Sequence, residues 1–180
     1  MSEDLIVHFV FFETKLDSEQ FIPKWHEYSQ SENISENVTM QQSAKENGFR
    51  YIAQHHCEAG EFDFVFEKGR RSSRIRQVQI ITTLAGGYSI TEAAKTDHCI
   101  ADESKVFAFL SESSPRLEPY IQLADKGKVN IYQAYYENCK FAYILEYFVK
   151  DENAADLLES LKQHNSVEMG IYKECAMQLS

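Results

Sequence analysis

The stretch DLIVHFVFFE (4–13) is apolar at almost every position rather than at every second one. A strand of that composition has no face it can leave to water, so it must lie inside a sheet that is covered on both sides. His8 alone interrupts the run IVHFVFF. The run is far too short to cross a bilayer as a helix, which needs about 20 apolar residues.

DSEQFIPKWHEYSQ (17–30) follows with the marks of a helix. Asp17 and Gln20 have the spacing of a capping box, in which each side chain satisfies a backbone N–H at the helix start. Phe21, Ile22, Trp25 and Tyr28 recur on one helical face, and Pro23 is tolerated because it sits in the first turns. Beyond this βα unit, NVTMQQSAKE and FRYIAQHHC flank Asn47-Gly48, a dipeptide suited to a hairpin turn that needs positive φ at both central residues. EFDFVFE and RIRQVQIITTL are the next strands, with Gly86-Gly87 ending the second. The stretch 91–127 reads as mostly helical, with ADESKVFAFL as one helix and Ser114-Pro115 opening another. KVNIYQAYY and FAYILEYFV are strands joined through ENCK. ENAADLLESLKQH is a helix with Leu157, Leu158 and Leu161 inward, and SVEMGIYKECAMQL is the closing strand.

The 180 residues suit one domain, and 43% hydrophobic with 13% aromatic content is enough for a sizeable core. Lys plus Arg number 18 against 28 Asp plus Glu, a formal net charge of −10. That balance speaks against nucleic acid as a partner, because nucleic-acid binding calls for a basic field. The opening MSEDL carries acids where a signal peptide carries basic residues, and no membrane partner is expected. The four cysteines show no CxxC spacing, so the expectation is a cytoplasmic protein with reduced thiols.

The strand–helix at 5–28 and the strand–helix at 141–164 superpose without a gap at an offset of 136. Phe9 falls on Leu145, Phe12 on Phe148, and Trp25 on Leu161. The order β-α-β … β-α-β resembles the ferredoxin-like α+β sandwich and the related α+β-barrel proteins, whose units pair within a chain or across a dimer. The resemblance covers roughly the first 46 and last 50 residues. It implies an α+β fold, a ferredoxin-like sandwich or barrel elaborated by an antiparallel meander and extra helices. The expected organisation is one domain over 1–180: a βα unit (4–46), an inserted meander with helices (47–127) and a ββαβ unit (128–178). The resemblance also implies a homo-oligomer, and that the first strands of the two βα units lie side by side and parallel. Its members include small oxygenases, heme-handling proteins and ligand-binding regulators, so the fold alone fixes no function.

Aligned this way, His8 and Glu146 have the same strand parity and would project from one face. An ionisable side chain within YILEYFV is costly unless paired or hydrated, and an imidazole beside a carboxylate can act as acid or base near neutral pH. His8 and Glu146 are therefore the catalytic candidates, with Tyr132, Tyr136 and Tyr172 as hydroxyl donors to a ligand. The alternative puts Glu146 on a solvent face and makes His8 a hydrogen-bonded core histidine. The expected ligand is a small apolar or aromatic molecule, held between sheet and helices. A non-enzymatic oligomer using its aromatic sheet face is the competing reading.

His55-His56-Cys57 and Asp97-His98-Cys99 have no recognised metal-ligand spacing, so no metal is expected. No P-loop, GxSxG or GxGxxG is present, and no cofactor is expected. EKGRRSSRIRQ (67–77) gathers much of the positive charge. In a hairpin, Arg74 and Arg76 share a face with Glu61, Asp63 and Glu67, where cross-strand pairs contribute roughly 0.2–1 kcal/mol each. Lys68, Arg70 and Arg71 remain at the tip as a candidate anion contact.

Overall fold

The computed structural model describes residues 5–31, 38–44, 49–58, 80–94, 99–125, 128–164 and 168–175. Its elements are β1 (Leu5–Glu13), α1 (Ser18–Ser31), β2 (Val38–Ser43), β3 (Tyr51–Glu58), β4 (Ile81–Glu92) and β5 (Glu103–Leu110), then α2 (Glu118–Gln122), β6 (Val129–Ala134), β7 (Tyr143–Lys150), α3 (Asp151–Lys162) and β8 (Glu168–Glu174). The strands close into a barrel in the order β1-β3-β2-β8-β5-β7-β6-β4, and every neighbouring pair is antiparallel.

That order contains one pattern twice. β4-β1-β3-β2 forms one half of the wall and β8-β5-β7-β6 the other, so β5 to β8 repeat the places of β1 to β4. The registers match residue by residue. Phe9 lies between Gln54 of β3 and Gly86 of β4, and Phe107 lies between Glu146 of β7 and Gly170 of β8. Each half has the ferredoxin-like strand order, and the halves join through the seams β2–β8 and β4–β6.

Strand alternation sorts the side chains between lumen and outer face. Phe9 meets Phe107 from the opposite side of the wall at 6.4 Å between ring centroids, which places both in the lumen. Phe11 meets Phe109 at 5.3 Å in the same way. The outer face of the first half packs Val10, Phe12, Met40, Tyr51 and Ala53 against Phe21, Ile22 and Trp25 of α1. The outer face of the second half packs Val106, Ala108, Leu145 and Tyr147 against Ala154, Leu157, Leu158 and Leu161 of α3. The capping box forms as its spacing requires: Gln20 N–H donates to Asp17 Oδ1 at 3.0 Å, and Asp17 N–H to Gln20 Oε1 at 3.4 Å.

Several expectations are corrected here. ADESKVFAFL is not a helix; its last eight residues are β5, all of them buried. A strand covered by α3 on one side and by lumen side chains on the other shows no alternation, and an unbroken apolar run fits either structure. The helix expected from Ser114-Pro115 begins only at Glu118. Gly86-Gly87 does not end β4, which bulges there and continues to Glu92. Gly86 takes φ +123°, and a Cβ on it would meet Cys139 Sγ at 2.5 Å. β1 and β7 are neither adjacent nor parallel; the true counterpart of β1 is β5. The stretch 47–127, expected as an insertion, contributes β3, β4 and β5 to the barrel. The Asn47-Gly48 turn and the basic hairpin tip lie outside the described residues.

Candidate functional site

Glu146 carries a charge that is costly to bury, and it is only 1% exposed. Its place on β7 opposite Phe107 aims it into the lumen. Lys105, two residues earlier than Phe107 on β5, is equally buried and sets its Nζ 3.2 Å from Glu146 Oε2. Gln54 Nε2 donates to the same oxygen at 2.8 Å from the opposite half. The other oxygen, Oε1, accepts from Asn130 Nδ2 at 2.7 Å and from the Tyr132 hydroxyl at 2.9 Å. Gln41 Nε2 in turn donates to Gln54 Oε1 at 3.0 Å. Strands β2, β3, β5, β6 and β7 thus each send a polar side chain to one layer of the lumen.

Burial alone would push the Glu146 carboxyl up. The Lys105 ammonium and the hydrogen bonds from Asn130, Gln54 and Tyr132 outweigh it and hold the group below the ordinary glutamate range. The layer is a salt bridge, not a shared proton. Gln41 Oε1 is a buried acceptor of this layer with no hydrogen-bond partner among the described residues. Toward one end of the barrel, Glu103 continues the Lys105 face of β5 and pairs with Lys128 at 2.8 Å. That ion pair reaches solvent through Lys128. Toward the other end, Phe9 and Tyr132 meet edge to face at 5.0 Å and begin an aromatic plug.

The structure brings together only part of the expected site. Glu146 and Tyr132 are in direct contact. Tyr172 shares the lumen, packs on Phe107 at 5.4 Å and donates to the Phe49 carbonyl at 3.2 Å. Tyr136 lies in the segment after β6, with its ring against Tyr135. His8 is buried, but on the outer face of β1 beneath α1, so the barrel wall separates it from Glu146. Its direct cross-strand partner is His55 of β3. Burial lowers His8 to about 4 and His55 to about 3, the latter helped by the neighbouring imidazoles of His8 and His56. Lys68, Arg70, Arg71, Asp97 and His98 lie outside the described residues. Among the described residues no three His, Cys, Asp or Glu side chains converge as a metal site.

Lys105, Gln54, Gln41 and Asn130 were not found from the sequence. Lys105 had a signal, a lone charge opening KVFAFL, that is informative only once this stretch is read as a strand.

Neither a family model nor a curated protein matches the sequence. Solved structures match over nearly the whole chain. TA0507, a protein provisionally assigned as a chlorite dismutase, aligns with a TM-score of 0.62 at 10% identity, covering 97% of this chain and 96% of its own. A cyanide-bound variant of the chlorite dismutase from Candidatus Nitrospira defluvii aligns with a TM-score of 0.57 at 10% identity, covering 96% and 92%. The chain has the chlorite dismutase-like α+β barrel fold. At such identity the likeness carries the architecture and not the reaction of those enzymes.

Proposed function

We propose that the protein binds a small polar molecule in the lumen, at the layer formed by Lys105, Glu146, Gln54, Gln41, Asn130 and Tyr132. The observation that carries this reading is the buried Lys105–Glu146 pair with Gln41 Oε1 left open beside it. A buried ion pair adds little stability over well-packed hydrocarbon, so the fold has no need of one. A buried titratable group held by a specific charge partner is a candidate for a functional site. The pair is neutral as a whole, so a ligand with net charge would leave an uncompensated charge in the lumen. The fitting ligand is neutral or zwitterionic, with a donor for Gln41 Oε1 and an acceptor for Lys105 Nζ. This moves the expected ligand from apolar to polar, because the apolar part of the lumen is filled by Phe9, Phe11, Phe107 and Phe109.

Native mass spectrometry tests the reading and reports the expected homo-oligomeric state in the same spectrum. The expected result is a retained small mass in the wild type that is absent from the folded double variant Lys105→Met/Glu146→Leu. If no mass is retained, and amides, amino acids and amines leave the melting temperature unchanged, the layer is structural.

A further inference from the structure

The first half buries a second polar group outside the lumen. His8 and His55 stand directly opposite each other on β1 and β3, 0% and 5% exposed. Directly opposed residues on antiparallel strands hold their Cβ atoms about 4.5–5.5 Å apart, a span that two imidazoles can bridge through one ion. His55 Nδ1 has no hydrogen-bond partner among the described residues, and its ring lies 6.2 Å from that of Trp25 of α1. Met40, fully buried, lies diagonal to His55 across the β2–β3 ladder, where Val38 is the direct partner. It packs in the same cluster as Trp25 and Ala53.

The donor set selects the ion. Two of the donors are imidazole nitrogens brought face to face by the β1–β3 register. The third donor is a thioether, a soft ligand. The cluster that holds Met40 is hydrocarbon and aromatic apart from the partly buried Cys175 thiol packed against it. A divalent cation would keep its full charge in that apolar setting, a heavy desolvation cost. A soft monovalent cation carries half the charge and prefers neutral nitrogen and sulfur donors. We infer that His8, His55 and Met40 form a site for a soft monovalent cation, the cuprous ion being the biological example. The site is independent of the lumen, because the barrel wall lies between them.

The test uses the full chain, titrated anaerobically with cuprous ion as its acetonitrile complex against a chromophoric chelator, with silver ion as a redox-inert probe. The four cysteines can also take these ions. The readout is therefore the difference between wild type and His8→Leu/His55→Leu, together with the imidazole nitrogen resonances. One equivalent should be lost in the double variant, and both imidazole resonances should shift in the wild type on adding the first equivalent of silver. Met40→Leu, close to isosteric, should weaken binding about tenfold without unfolding the chain, and zinc should bind at least about a hundredfold more weakly. Equal uptake in the double variant, or imidazole resonances that stay fixed at one equivalent, overturns the assignment.

Discussion

The two halves of the barrel have one topology and two chemistries. Where the first half places His8 opposite His55, the same register in the second half places Val106 opposite Tyr147. The Tyr147 hydroxyl reaches past the helix-covered face and donates to the Tyr120 carbonyl at 2.7 Å, so that face is apolar and satisfied. Hydrocarbon and one tyrosine are therefore enough to hold a helix on such a sheet. The imidazoles of the first half exceed what the architecture requires, and the comparison marks them for a role other than packing.

Acid should break the symmetry of the halves most strongly. His8 and His55 are neutral in the folded protein, with values near 4 and 3 against an ordinary 6.5, so the unfolded chain binds more protons between those limits. Stability is complete above about pH 6.5 and falls as the pH drops toward 4, on the order of 3 kcal/mol for each imidazole. Urea unfolding at pH 7 and pH 4 measures the loss. His8→Leu/His55→Leu should remove most of the pH dependence, and an unchanged dependence would show that other groups govern it.

A single cut in the layer shared by both halves comes next. Glu146→Leu leaves Lys105 buried without its carboxylate and should lower stability by about 3–5 kcal/mol. Lys105→Met/Glu146→Leu should recover most of that loss, since the paired hydrophobic replacement removes both charges. Leu161→Ala probes the hydrocarbon half: this fully buried side chain of α3 should cost about 3 kcal/mol, equally at pH 7 and pH 5. The smallest effect is at the bulge of β4. Gly86→Ala meets both a positive φ and the Cys139 sulfur, and should cost about 1–2 kcal/mol by thermal unfolding.

The parts of the fold that local chemistry decides were legible in the sequence. The Asp17–Gln20 box, the leucine face of α3 and the double-sided apolar run of β1 each rest on neighbours in the chain. β5 was not, because burial on both faces erases the alternation that separates strand from helix. That one misreading also hid the repeat. Phe9-Val10-Phe11 and Phe107-Ala108-Phe109 are the matching triplets, each with its two phenylalanines in the lumen, whereas aligning the two long strand–helix pairs set β1 against β7. Glu146 stood out as a charge in an apolar strand. Its partners did not, because Lys105 reaches it only once β5 pairs with β7, and Gln54 only after the seams β2–β8 and β4–β6 have closed the wall.

Gln54 and Glu146 occupy equivalent places in the two halves, and they meet each other at 2.8 Å. In a barrel closed by two copies of one shorter chain, residues related in this way are identical. Two glutamates there would set like charges against each other, and two glutamines would carry no charge at all. Holding both halves in a single chain lets one site become an acid while its counterpart stays an amide. It also lets Lys105 stand where the first half has Val7. The charged layer is thus a possession of the single chain, whose two halves need not carry the same residues.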